Sequence, residues 1–202
     1  DRLALTMRFQ EGRTVAEMLE VWETVAPRAR AAGMRTSVTL SAAFGCPFEG
    51  EVPVDRVVDV AGRVAAAGPD EIALADTIGV AVPPQVTDVV AQVRGVAGEI
   101  PLRCHFHNTR NTGFANVVAA LDGGVAALDA SVGGIGGCPF APGATGNIAT
   151  EDLVYLLDRM GVRSGVDLVA ASRTAEWIGD RLGITVPGLL SRAGPFPRRS
   201  PE

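Results

Sequence analysis

The chain has 202 residues, 47% of them hydrophobic, with a formal net charge of −5 at pH 7, enough apolar material to bury a core in one domain and too much for a disordered chain. The acidic balance argues against a nucleic-acid partner, because Arg198-Arg199 is too short a basic cluster to offset it. No apolar run reaches the roughly 18 residues that mark a membrane span, and the opening residues carry no secretory signal pattern.

Thr14 and Glu17 form a capping box ahead of Val15, Met18, Leu19, Trp22 and Val25, which predicts a helix closed by Gly33, with Pro27 a misfit near its end. A β-prone run covers 35–40. Pro53 opens a helix striped with Val54, Val57, Val58, Ala61 and Val64, and a second strand follows over 71–75. Pro83-Pro84 precede Val86, Val89, Val90 and Val93 on a third helix, before a third strand at 102–107. Phe114, Val117, Val118 and Leu121 mark a fourth helix, ended by Gly123-Gly124, and 127–131 a fourth strand. Helices from Thr150 to Gly161 and over 166–182 complete the pattern. Valine-rich helices have middling intrinsic propensity, so each requires a sheet to pack on. Strands alternating with helices imply a parallel sheet with crossover helices.

Cys46, Cys104 and Cys138 are odd in number and far apart, which fits neither a disulfide framework nor a paired zinc motif and points to a reducing cytoplasm. The chain starts at Asp1 without a methionine, so it is expected to be a piece of something longer.

Chemistry-bearing residues fall at or just after predicted strand ends. His105 and His107 are the two histidines of the chain. Spaced as H-x-H on a strand, they point to the same face, with Phe106 on the other. That is a metal-site geometry, although a buried pair without a ligand has the same spacing. Asn147 offers an oxygen ligand further on. Two nitrogens with a neutral oxygen suit Mg²⁺ or Mn²⁺, with Zn²⁺ behind them. Asp76-Thr77 reads either as a turn cap or as a general base or supporting carboxylate beside the histidine strand. Cys138 sits among Gly133, Gly134, Gly136, Gly137, Gly143 and Gly146, more glycine than a connector needs and suited to a loop closing over a substrate. Cys46 and Cys104 read as structural. Glu151 and Asp152 open a helix, where their charge complements its dipole.

Four motifs carry a resemblance. They are Phe44-Gly45-Cys46-Pro47-Phe48-Glu49-Gly50, Ala75-Asp76-Thr77-Ile78-Gly79, His105-Phe106-His107-Asn108-Thr109, and the run from Gly136-Gly137-Cys138-Pro139 through Gly146-Asn147 to Glu151-Asp152. With these the chain resembles the 3-hydroxy-3-methylglutaryl-CoA lyases, within the metal-dependent barrel lyases and Claisen-type synthases. The resemblance implies that His105, His107 and Asn147 bind a divalent cation. It makes Cys138 the loop thiol that protonates the departing enolate and Asp76 an acid/base residue. Two departures stand out. Asn108 replaces the aspartate many members have, and the half that supplies the family's substrate arginine and metal-binding aspartate is missing; Asp1 to Arg13 resembles the loop after the family's fourth strand, so residues 1–13 are expected to be a loop.

The expected fold is therefore α/β, the C-terminal half of a (β/α)8 barrel whose active site lies at the C-terminal ends of the strands. Residues 1–188 form this partial domain and 189–202 a loosely held tail. The implied activity is metal-dependent carbon–carbon cleavage of 3-hydroxy-3-methylglutaryl-CoA or a related 3-hydroxyacyl-CoA, with acyl-CoA as partner, no nucleic acid or membrane, and a homodimer or other homo-oligomer in the cytoplasm. The alternatives are an isopropylmalate- or homocitrate-type synthase, or a half-barrel that pairs its open edges and does no chemistry. By itself this chain is expected to be inactive.

Overall fold

Alternation along each strand decides how this sheet is covered. A computed structural model describes residues 2–7, 14–137 and 146–196, the first of these by backbone alone. The described residues fall into two compact units, one through Asp129 and one from Ala130 onward.

The first unit runs β1 (Arg2–Met7), α1 (Val15–Ala31), β2 (Arg35–Leu40), α2 (Val54–Ala66), β3 (Glu71–Asp76), α3 (Pro83–Ala97), β4 (Leu102–Phe106), α4 (Gly113–Asp122) and β5 (Ala127–Asp129). All five strands are parallel and lie side by side in chain order. Doubly wound sheets reverse their order at a switch point, whereas β/α barrels do not. The winding is that of a (β/α)8 barrel, of which this chain supplies part.

One face of β2, β3 and β4 presents Val38, Leu40, Ile72, Leu74, Leu102, Cys104 and Phe106, none more than 6% exposed. The helices cover it with the valine stripes read from the sequence: Val57, Ala61 and Val64 on α2, and Val86, Val89, Val90 and Val93 on α3, all buried. α1 starts at the expected capping box, with the Thr14 hydroxyl accepting from Glu17 N and Glu17 Oε2 accepting from Thr14 N. It continues through Pro27 to Ala31. Its Trp22 is fully buried and donates Nε1–H to Val64 O at 3.1 Å, so the indole is satisfied where it is dry.

Three expectations change. Residues 2–7 form a strand where a loop was expected, in register with β2 from Arg2↔Arg35 to Met7↔Leu40. Its Arg-Leu-Ala-Leu-Thr-Met sequence lacks a run of β-branched residues, and it is pairing with β2 that makes it a strand. The last strand stops at Asp129, and Ser131 instead bridges Ala149 within the second unit.

The third change is at the expected tail. The second unit contains a short 3-10 turn (Val132–Gly134), α5 (Thr150–Arg159), α6 (Leu168–Leu182) and α7 (Leu190–Ala193). Asp152 accepts from Leu189 N at 2.9 Å and Leu190 N at 2.7 Å, and Leu190 is buried, so the start of the expected tail is anchored there, while its residues 197–202 lie outside the described residues. α6 begins under the Asp167 cap and ends at Gly183 in the left-handed region. Among the described residues no helix is long and apolar enough to cross a membrane.

Candidate active site

Opposite the helix-covered face, the sheet turns polar. In a parallel sheet, residues in register share a face, so Ser37↔Glu71 and Ala75↔His105↔Asp129 set three adjacent strand positions toward the same side. Arg103, two residues before His105, joins them between Ala73 and Ala127. Ser37 Oγ donates to Glu71 Oε1 at 2.6 Å and Arg103 Nε to the same oxygen at 3.0 Å. Arg103 Nη1 also donates to Asp129 Oδ2, and Asp129 Oδ1 bonds Nδ1 of His105.

The two imidazoles predicted from the H-x-H lie together, ring centroids 5.1 Å apart and nearly edge-on. Burial, then the neighbouring His107, then Arg103 lower the His105 pKa to about 4, and burial lowers that of His107. Both rings are thus neutral at pH 7, the form in which imidazole binds a metal. His107 is 5% exposed, and its Nδ1 is buried with no hydrogen-bond partner among the described residues. Such an orphan costs stability unless something occupies it.

Asp76 closes β3 at 1% exposure, in register with Phe106, so it lies on the helix-covered side of the strand and not on the side of His105. Its Oδ1 accepts from Val80 N at 2.9 Å and its Oδ2 from Ala81 N at 3.1 Å, which folds the following loop around the carboxylate. Burial raises its pKa, opposed by the N–H groups of Val80, Ala81 and Gly79 and by Arg110. Gly79 in this loop has φ +62 and its missing side chain makes room for Thr109, so no other residue fits there without displacement. Arg110 donates to the carbonyls of Ile78 and Gly79, and Thr77 Oγ1 accepts from Ala42 N, so the loops after β2, β3 and β4 are knitted into one rim.

The second unit holds the base of the glycine-rich loop. Asn147 Nδ2 donates to Ile135 O at 2.9 Å, which fixes the amide, and its Oδ1 is buried without a partner among the described residues. Glu151, fully buried, accepts from Gly133 N at 3.0 Å through Oε2, while its Oε1 also has no partner among the described residues. Burial raises its pKa. Glu151 therefore holds the loop, a larger role than the helix-dipole part its sequence position predicts. A Cβ on Gly146 would collide with Gly134 O, so the two stems of the loop are in backbone contact. Cys138 lies outside the described residues. Cys46 and Cys104 are free and buried, and burial pushes the Cys104 thiol up to about 12, an inert form.

Arg103, Asp129 and Glu71 were not picked out from the sequence. Period-2 alternation back from His105 marks Arg103, but the short Ala127–Asp129 strand offers no pattern that separates a site residue from a turn-forming aspartate. Among the described residues no three His, Cys, Asp or Glu side chains group as a metal site. In the first unit the paired imidazoles are the groups that could hold a cation, and His107 Nδ1, without a partner among the described residues, is an atom it would satisfy; in the second unit Asn147 Oδ1 is likewise buried with no partner among the described residues.

Known proteins resemble this chain along most of its length. The chain is 45% identical over 183 residues to an (R)-citramalyl-CoA lyase from Chloroflexus aurantiacus and 41% identical over 177 residues to a hydroxymethylglutaryl-CoA lyase from Bacillus subtilis. The matches cover 91% and 87% of this chain and 58% of each relative, so the chain spans a little over half their length. An HMG-CoA lyase from Acinetobacter baumannii, solved with coenzyme A and 3-methylmalate, superposes with a TM-score of 0.89 at 34% identity, over 100% of this chain and 67% of that one. The HMG-CoA lyase of Pseudomonas aeruginosa gives 0.87 at 32% identity, over 95% and 66%. Residues 4–178 match the HMGL-like family, and the chain belongs to that family.

Proposed function

We propose that the protein to which this chain belongs is a divalent-metal-dependent carbon–carbon lyase that cleaves a 3-hydroxyacyl-CoA to acetyl-CoA and a keto acid, with 3-hydroxy-3-methylglutaryl-CoA as the leading substrate. The observation that carries this reading is the pair of neutral imidazoles at the end of β4, one with a buried, unpartnered nitrogen. The named lyase relatives and the coenzyme A complex support it.

His105, His107 and Asn147 would hold the cation, Mg²⁺ or Mn²⁺. When bound, the cation supplies charge to polarise the 3-hydroxyl and a carbonyl oxygen of the substrate. The family resemblance gives Asp76 the part of taking the hydroxyl proton, and the burial that raises its proton affinity suits that part. Its register with Phe106 and its bonds from Val80 N and Ala81 N set it away from the histidine face, so reaching the hydroxyl requires the loop after β3 to move. The carbon bearing the hydroxyl becomes a carbonyl as its bond to the α-carbon of the thioester breaks, and that bond's electron pair passes to the acetyl-CoA enolate. The Cys138 thiol then delivers its proton to the enolate carbon. Tight stems at Gly134 and Gly146, and the Glu151 clamp on Gly133, anchor the loop that carries the thiol.

A second acyl group is favoured by the 45% identity to a citramalyl-CoA lyase, whose named substrate shares the 3-hydroxy-3-methyl acyl-CoA unit. Buried free thiols at Cys46 and Cys104 suit a reducing cytoplasm.

The full-length protein, loaded with Mn²⁺, should release acetyl-CoA from 3-hydroxy-3-methylglutaryl-CoA or citramalyl-CoA, and competition between the two identifies the preferred acyl group. Condensation of acetyl-CoA with a 2-oxo acid in place of cleavage would assign the protein to the synthase class. Cys138→Ala should lower kcat far more than substrate affinity, and full activity in that variant would remove the thiol from the mechanism.

A further inference from the structure

A chain of contacts crosses four strands on the polar face of the first unit, from Ser37 on β2 through Glu71 on β3 and Arg103 on β4 to Asp129 on β5, then back to His105. The direction of each bond is forced. A guanidinium can only donate and an ionised carboxylate can only accept. Arg103 therefore occupies Oδ2 of Asp129 as donor, and the Nδ1 that meets Oδ1 must also be a donor. In register with Arg103 are Ala73 and Ala127, small enough for the long side chain to lie sideways across the sheet and reach both carboxylates. With Nε on Glu71 and Nη1 on Asp129, the planar fork is held at two points and pins the Asp129 carboxylate in turn.

We propose that Arg103, acting through Asp129, is a positioning residue that holds His105 in the Nδ1–H tautomer, so that Nε2 keeps its lone pair for a divalent cation. The proposal rests on the cation-binding reading of His105 given above. Partners that fix the tautomer of a metal-binding histidine typically contribute about 10–100-fold to metal affinity.

The direction of the bonds supplies the test. In Asp129→Asn, Arg103 can still only donate, so the introduced amide turns its oxygen to Arg103 and its NH₂ to His105. Nδ1 must then accept, and the ring proton moves to Nε2. Adding Arg103→Gln offers that amide either a donor or an acceptor, and lets it turn back.

The readout is two-bond ¹H–¹⁵N correlation on protein labelled with ¹⁵N-histidine, metal-free at neutral pH, followed by Mn²⁺ titration. The wild type and Arg103→Gln should show Nδ1–H at His105. Asp129→Asn should show Nε2–H with Mn²⁺ affinity down by about 10–100-fold, and Asp129→Asn with Arg103→Gln should recover the Nδ1–H signal and part of the affinity. A merely structural role for Arg103 would not be rescued by removing it. The proposal is overturned by Nε2–H in the wild type, by Nδ1–H persisting in Asp129→Asn, or by a double variant that stays Nε2–H. Should Asp129→Asn not fold, Nε2–H in the wild type still overturns the proposal, and so does Arg103→Gln with wild-type Mn²⁺ affinity, where a loss of up to about 10-fold is expected. Failure of the wild type to take up Mn²⁺ would overturn the proposed function, while the ring nitrogens would still decide the tautomer.

Discussion

Asp76 and Asp129 end strands β3 and β5, on either side of the histidine strand, and their carboxylates meet different kinds of partner. Asp76 accepts from two backbone N–H groups and shapes a loop, whereas Asp129 accepts from two side chains and orients a ring and a guanidinium. Exposure follows the division, with Asp76 at 1% and the Asp129 side chain at 33%. A carboxylate surrounded by its own loop is needed for the rim to exist. One that faces side chains across strands tunes what the rim does.

The largest expected effect that separates them is on stability. Asp76→Ala leaves two N–H groups without their acceptor, at about 1–3 kcal/mol each where buried, and should lower the denaturant midpoint clearly. Asp129→Ala should leave the midpoint close to wild type and instead weaken Mn²⁺ binding by about 10–100-fold. Equal losses of stability in the two variants would break the distinction. Below these in size comes Arg103→Gln, which keeps the Asp129 carboxylate and should change Mn²⁺ affinity by less than about 10-fold, as read by the same titration.

The smallest effect is in pH dependence, where the signs oppose. In the metal-free protein burial holds the His105 pKa at about 4 against an ordinary value of 6.5, so the unfolded chain accepts a proton that the native ring refuses. Its contribution to stability is lost as pH falls from 6.5 through about 4. The Asp76 pKa is raised above 3.8, so its ionised form is disfavoured in the native state and that penalty is relieved on acidification. The stability of wild type minus that of Asp76→Asn should therefore rise as pH drops through the raised pKa, and a falling difference would reverse the assigned direction. Denaturant midpoints across the acid range measure both.

Most of the sheet and its cover was legible because the signals were redundant. Valine stripes, proline starts and glycine stops agreed for α2, α3 and α4, and a capping box marked α1. β1 escaped because its six residues carry no β-branched run, and α7 because its four residues are held by the distant Asp152 rather than by their own propensity. The imidazole pair could be read because period-2 spacing is a local property. Asp129 could not, since its role depends on cross-strand register, and neither could the burial of Glu151 against the Gly133 N–H, which depends on how the loop returns.

The central claim is that His105, His107 and Asn147 hold a divalent cation. Electron spin-echo spectroscopy of Mn²⁺ bound to the full-length protein labelled with ¹⁵N only in histidine tests it directly, because His105→Ala and His107→Ala assign each coupling. The account predicts ¹⁵N couplings from two imidazoles, reduced to one in either His105→Ala or His107→Ala. Bound Mn²⁺ with no histidine nitrogen coupling would contradict it.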